Sequence, residues 1–99
     1  EVTHITDDIK IDVIDEWYSK KTKTTYPSGW KINLQEINLS FIVKPDILDQ
    51  EISEGLPATQ TYWEGKSTVF DEDYNNIGDA YVELSGYRDP VKIDWINIC

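Results

Sequence analysis

The sequence is short of the side chains that most often do chemistry. It holds no methionine, one cysteine and one histidine, and 9 lysines and arginines face 19 aspartates and glutamates. Cys99 is the last residue and has no second cysteine, which excludes an intrachain disulfide. No basic neighbour or cluster of ligands accompanies it, so neither a reactive thiolate nor a metal site is expected there. His4 lies in a polar N-terminal stretch and reads as a solvated residue rather than a base. The net charge of −10 opposes nucleic-acid backbones and anionic lipid surfaces as partners. No apolar run approaches the roughly 20 residues of a spanning helix, so helical membrane insertion is not expected. P-loop, Ser-His-Asp, zinc and dinucleotide patterns are all missing, so no cofactor or metal is expected. With Glu1 first and no methionine, the chain reads as an excised or processed piece whose targeting signal is not visible.

What is present is a core-forming β pattern. Apolar residues make up 39% of the 99 positions and aromatics 12%, enough for one small packed domain over 1–99. The periodicity is mostly two. Ile9, Ile11 and Val13 alternate with polar residues, as do Trp30, Ile32 and Leu34, and then Ile37, Leu39, Phe41 and Val43. Residues 61–70, 80–87 and 91–98 complete the expected strands. Pro27-Ser28-Gly29, Glu36, Pro45, Gly55 with Pro57, the acidic run 71–76 and Asp89-Pro90 supply the turns. Ile47, Leu48 and Ile52 could share one face of a short helix near 45–54. The whole predicts an all-β antiparallel sandwich or barrel.

Five local signatures follow one another between residues 17 and 87. They are Trp17-Tyr18-Ser19, Tyr26-Pro27-Ser28-Gly29-Trp30, Asp49-Gln50-Glu51, Tyr62-Trp63-Glu64-Gly65, and the run from Gly78 through Tyr81-Val82-Glu83-Leu84 to Tyr87. In this order they resemble the AttH and carotenoid 1,2-hydratase (hydroxyneurosporene synthase) family, whose chains hold two lipocalin-like barrels. This chain is similar to the second, C-terminal barrel. Two departures are Ala80, where the family tends to a second glycine, and residues 20–25, where it tends to Thr-Gly. The resemblance implies a lipocalin-like antiparallel barrel and a companion N-terminal barrel as partner. It also implies an apolar, isoprenoid-like or polyketide-like small molecule as substrate, and points to an extracytoplasmic setting. Family members that act on substrates carry a His-, Asp- and Trp-rich motif at the end of the first barrel. Nothing here matches that motif, so the isolated chain is not expected to be an enzyme.

The candidate site residues are Trp63, Glu64, Tyr81 and Glu83. A hairpin turning between Asp73 and Tyr74 sets Glu64 opposite Glu83, Trp63 opposite Leu84 and Lys66 opposite Tyr81. Facing carboxylates repel unless solvent, a cation or a proton intervenes, and one of such a pair can serve as a general acid. The structural alternative has both glutamates accepting hydrogen bonds that fix the sheet. A slip of two residues would instead set Lys66 opposite Glu83 and remove the conflict. Trp63 neighbours Glu64 and a glycine that permits close approach, which makes it a ligand contact, whereas Trp30 belongs to the core. The lysines at 20, 21 and 23 and the acids at 71–73 read as solvated loops.

Overall fold

The computed structural model describes residues 2–5, 9–88 and 95–98, with side chains for 9–88. The strands are β1 (Val2–Ile5), β2 (Ile9–Ser19), β3 (Thr24–Leu34), β4 (Leu39–Pro45), β5 (Glu51–Ile52), β6 (Tyr62–Phe70), β7 (Asn76–Ser85) and β8 (Trp95–Ile98). They form one antiparallel sheet in the order β1-β2-β3-β4-β6-β7-β8, with β5 paired to β6. The all-β antiparallel expectation therefore holds. The barrel is not closed: β1 and β8 are the ends of the sheet, and no ladder joins them among the described residues.

One face of this sheet is apolar but for fully buried Ser67 on β6. The registers Ile11↔Ile32, Trp30↔Val43, Val43↔Val69 and Trp63↔Leu84 bring alternate residues of β2, β3, β4, β6 and β7 onto that face. Trp30 is 0% and Trp63 1% exposed, and Val43, Val82 and Leu84 are as deeply buried. Among the described residues no helix layer covers them, so the sheet rolls over its own inner face to exclude water. Two bulges flank the Asp15–Gly29 pair, with Ile14 the extra residue in β2 and Ser28 the extra residue in β3, and they supply the bend.

Three local expectations are corrected. Pro27-Ser28-Gly29 lies within β3, tolerated because the bulges at Ile14 and Ser28 interrupt the ladder there, and the β2–β3 turn is residues 20–23. β4 begins at Leu39, after a 3-10 turn over Gln35–Ile37. The helix near 45–54 does not form. Its backbone is engaged by β6 instead: the Asp46 N–H donates to the Lys66 carbonyl, and the Gln50 carbonyl accepts from the Glu64 N–H. The chain thus leaves the β6 edge after Pro45 and returns to it as β5. Of the last expected strand only 95–98 is described. Asp89-Pro90 and Cys99 lie outside the described residues, as does the side chain of His4.

Candidate functional site

The densest polar cluster forms where the β2–β3 turn meets β5. The turn needs one residue in the left-handed region, and Lys23 takes it at φ 57°. Ser19 and Thr22 lie on the turn and Tyr26 just beyond it, all facing β5. Glu51 collects them: Ser19 Oγ donates to Oε1 at 2.7 Å, and Thr22 Oγ1 and Tyr26 Oη donate to Oε2 at 2.6 and 2.7 Å. The Thr22 N–H donates to Ser19 Oγ at 3.3 Å, which orients the hydroxyl.

Aromatic rings flank the carboxylate. Tyr26 stacks on Trp17 with centroids 6.0 Å apart and meets Tyr87 at 5.7 Å. Arg88 follows Tyr87 and donates to Thr61 Oγ1 at 2.9 Å. Burial alone would push the Glu51 carboxyl up. The hydrogen bonds from Thr22, Tyr26 and Ser19, with the charge of Arg88, outweigh burial and hold it below the ordinary value. Burial first, and then the bond to Glu51, push the Tyr26 phenol well above its ordinary value. Glu51 is thus an ionised acceptor with both oxygens engaged, and Tyr26 a neutral donor. Such a pair fixes geometry and has no proton to exchange near neutral pH.

A second set of contacts continues this junction along β6. The Trp63 indole N–H donates to the Leu48 carbonyl at 2.7 Å. The Gln50 amide lies directly over Gly65, where any Cβ would overlap it. Glycine is required there by close approach, with no need for an unusual φ.

The β6–β7 hairpin has the expected register, with Glu64↔Glu83, Trp63↔Leu84 and Lys66↔Tyr81. The four candidate residues are divided between the two faces. Trp63 points into the core. Glu64 and Glu83 are half-buried on the outer face, where Tyr81 is exposed. Glu83 borders a surface groove of about 290 Å3 with Tyr62 and Ser85. Among the described residues neither glutamate makes an ion pair or side-chain hydrogen bond, and nearby Lys66 pairs with Asp46 and Asp79. No three His, Cys, Asp or Glu side chains among the described residues gather into a metal site. The acidic turn serves itself: Asp71 Oδ1 accepts the N–H groups of Asp73 and Asn75, both at 2.9 Å.

Glu51, Tyr26, Ser19 and Thr22 were not among the expected site residues. A signal for three of them was present, since Ser19, Tyr26 and Glu51 each belong to a separate signature. Trp17, Gln50, Gly65 and Tyr87 also belong to those signatures. Long-range pairing brings these fragments together in one junction.

Comparison with known proteins agrees with this assembly. The AttH-like family model matches residues 1–87. A crystal structure of an AttH candidate from Nitrosomonas europaea superposes with a TM-score of 0.68 at 30% identity. The match covers 82% of this chain and 24% of that one, so this chain spans about a quarter of its solved relative. No curated protein matches. The matched residues hold all five signatures and the junction they build, and on that ground the chain belongs to the AttH-like family.

Proposed function

We propose that this chain is an accessory AttH-type domain that completes an apolar-substrate site together with a companion barrel and catalyses no reaction alone. The observation that carries the reading is a filled interior beside apolar residues left in solvent. Trp30, Trp63, Val43, Val82 and Leu84 occupy the inner face to near-complete burial, which favours packing over an internal ligand chamber. The most engaged carboxylate, Glu51, has its lone pairs committed to three hydroxyls. The solved relative's greater length supports a larger working unit. In this reading Glu64, Tyr81 and Glu83 offer polar groups on the outer face toward the shared site, and Trp63 positions the loop behind it.

Tryptophan fluorescence tests the proposal. The chain alone, and the natural polypeptide that carries it with a companion barrel, are titrated with a long-chain isoprenoid alcohol. Saturable binding by the longer protein only is expected. Saturable binding by the 99-residue chain would overturn the reading in favour of a self-contained ligand-binding module. Binding by neither would leave the domain a structural one for this ligand class.

A further inference from the structure

The segment between β4 and β5 presents its large aliphatic side chains to solvent. Its sequence, Asp46 to Gln50, followed by Glu51 and Ile52, alternates acids, amides and large aliphatics. In an ordinary surface loop the polar side chains take solvent and the aliphatic ones turn in. Here Asp46 and Asp49 keep their exposure and Gln50 and Glu51 turn partly inward, yet the aliphatic side chains also stand in solvent. Asp46 is tied to Lys66 at 3.5 Å and accepts from Thr68 Oγ1 at 2.6 Å. Gln50 folds over Gly65 and donates to the Ile47 carbonyl at 2.7 Å. Glu51 is bound by three hydroxyls. Ile47, Leu48 and Ile52 are left 63%, 49% and 39% exposed.

The backbone that displays them is held fast. The Trp63 indole grips the Leu48 carbonyl, and β6 holds the segment at both ends through Asp46 and Gln50. The outward aliphatics are therefore pre-ordered, which lowers the entropic cost of burying them against a partner. Apolar residues scattered singly on a surface need no explanation. Three on a seven-residue segment whose Asp46, Gln50 and Glu51 side chains are each engaged by the rest of the fold are a different case.

We infer that this segment, centred on Ile47 and Leu48, is the surface on which a companion AttH-type domain docks. The inference rests on the accessory-domain reading and adds the place of contact. A second copy of this chain is the poorer occupant, because two bodies of net charge −10 repel as they approach. The companion domain fits the length relation instead, since this fold unit fills 24% of the solved relative and leaves most of that chain to pack around it. Glu51 is already held by three hydroxyls, and Asp46, which stays exposed, is paired with Lys66, so among the described residues Asp49 is the one acid of the segment that docking meets without a partner.

The test uses the full natural polypeptide with a photo-reactive benzophenone side chain at position 48 and, in a separate protein, at position 74 on the opposite hairpin tip. Cross-linked peptides are identified by mass spectrometry. Position 48 is expected to join the companion domain and position 74 is not. An Ile47→Lys, Leu48→Lys double variant, read with the benzophenone at position 52, is expected to lose roughly tenfold of the inter-domain yield. Its melting temperature as the 99-residue chain should stay unchanged, because both side chains are already in solvent. Inter-domain cross-links from position 74 and none from 48 would sink this surface while leaving the accessory-domain reading intact. Cross-links from 48 to a second copy would overturn the choice of occupant. No inter-domain cross-link from either position would overturn both.

Discussion

At one end of the rolled sheet, Glu51 ties the β2–β3 turn to β5, Trp63 holds the loop before it, and Tyr87 packs on Tyr26 from the end of β7. At the other end, the β6–β7 turn is satisfied within itself by Asp71, and the β3–β4 turn by the Asn38 N–H on the Gln35 carbonyl. The hydroxyl partners of Glu51 are 25 to 32 positions away in sequence, whereas the partners of Asp71 are two and four away. Both ends satisfy their polar groups, yet only the first crosses from strand pair to strand pair. Breaking a long-range tie loosens the whole sheet. Breaking a local one opens a turn and leaves the ladder standing.

The largest expected effect follows directly. Glu51→Ala removes the common acceptor of three hydroxyls, one of them on fully buried Tyr26. Leaving those donors unpaired costs on the order of 3 kcal/mol, a large share of a small domain's stability. A urea titration followed by tryptophan fluorescence should show a markedly lower midpoint. Asp71→Ala, in the same assay, should leave the midpoint close to that of the parent. Equal losses would break the contrast between the two ends.

Next in size is the response to pH. The folded Glu51 pKa lies below its unfolded value, so its contribution is complete above about pH 4.3 and fades as pH falls through the lower folded pKa. Asp71 is also lowered, mainly by the Asn75 N–H, and fades in the same direction. Tyr26 has the opposite sign. Its folded pKa is raised, so its contribution is complete below about pH 10 and fades as pH rises beyond that. Stability measured from pH 2 to 11 should therefore fall at both extremes. Glu51→Gln should flatten the acid limb while keeping the part due to Asp71, and Tyr26→Phe should flatten the alkaline limb. An unchanged acid limb in Glu51→Gln would assign acid sensitivity to the free end.

This contrast also explains what could be read in the sequence. Period-two alternation is enough to assign the faces of β6 and β7, because a one-residue slip would expose the whole inner face, but it leaves a two-residue slip open, and the structure selects the register with Glu64 opposite Glu83. The family was legible from five fragments in order. The use of those fragments was not, since hydroxyls at 19, 22 and 26 meet a carboxylate at 51 only after β5 has paired with β6. Pro27-Ser28-Gly29 has the composition of a turn, and Ser28 is in fact an irregular position, the extra residue of a bulge within β3. Ile47, Leu48 and Ile52 suggested a helix face because their spacing is the same whether they pack inward or stand in solvent. Glu64 and Glu83 were placed opposite each other correctly, yet their chemistry depends on neighbours that local sequence does not specify.

A smaller effect probes how tightly the first end is fitted. Gly65→Ala drives a methyl group into the Gln50 amide, which must swing away and give up its bond to the Ile47 carbonyl. Because the obstacle is the end of a flexible side chain, the cost should be about 1 kcal/mol. Gln50→Ala vacates that space, so the double variant should lose less than the sum of the singles. Additive losses would show that Gln50 is not what Gly65 makes room for.

The smallest effect compares the two ends at one shared flaw. Each has a non-glycine residue in the left-handed region, Lys23 at φ 57° and Tyr74 at φ 62°. A side chain there costs about 1 kcal/mol, which glycine relieves, less what glycine adds to unfolded-chain entropy. Lys23→Gly should therefore gain about 0.5 kcal/mol. Tyr74→Gly relieves the same strain but removes a ring that sits 6.2 Å from Phe70. Such a contact is worth about 0.5–1.5 kcal/mol, so the gain should vanish or reverse. Thermal melts of the two variants should thus move apart, with Lys23→Gly above the parent and Tyr74→Gly at or below it. If both rose equally, the Phe70–Tyr74 contact would contribute nothing. The free end would then be held by the Asp71 hydrogen bonds and the strand ladder alone.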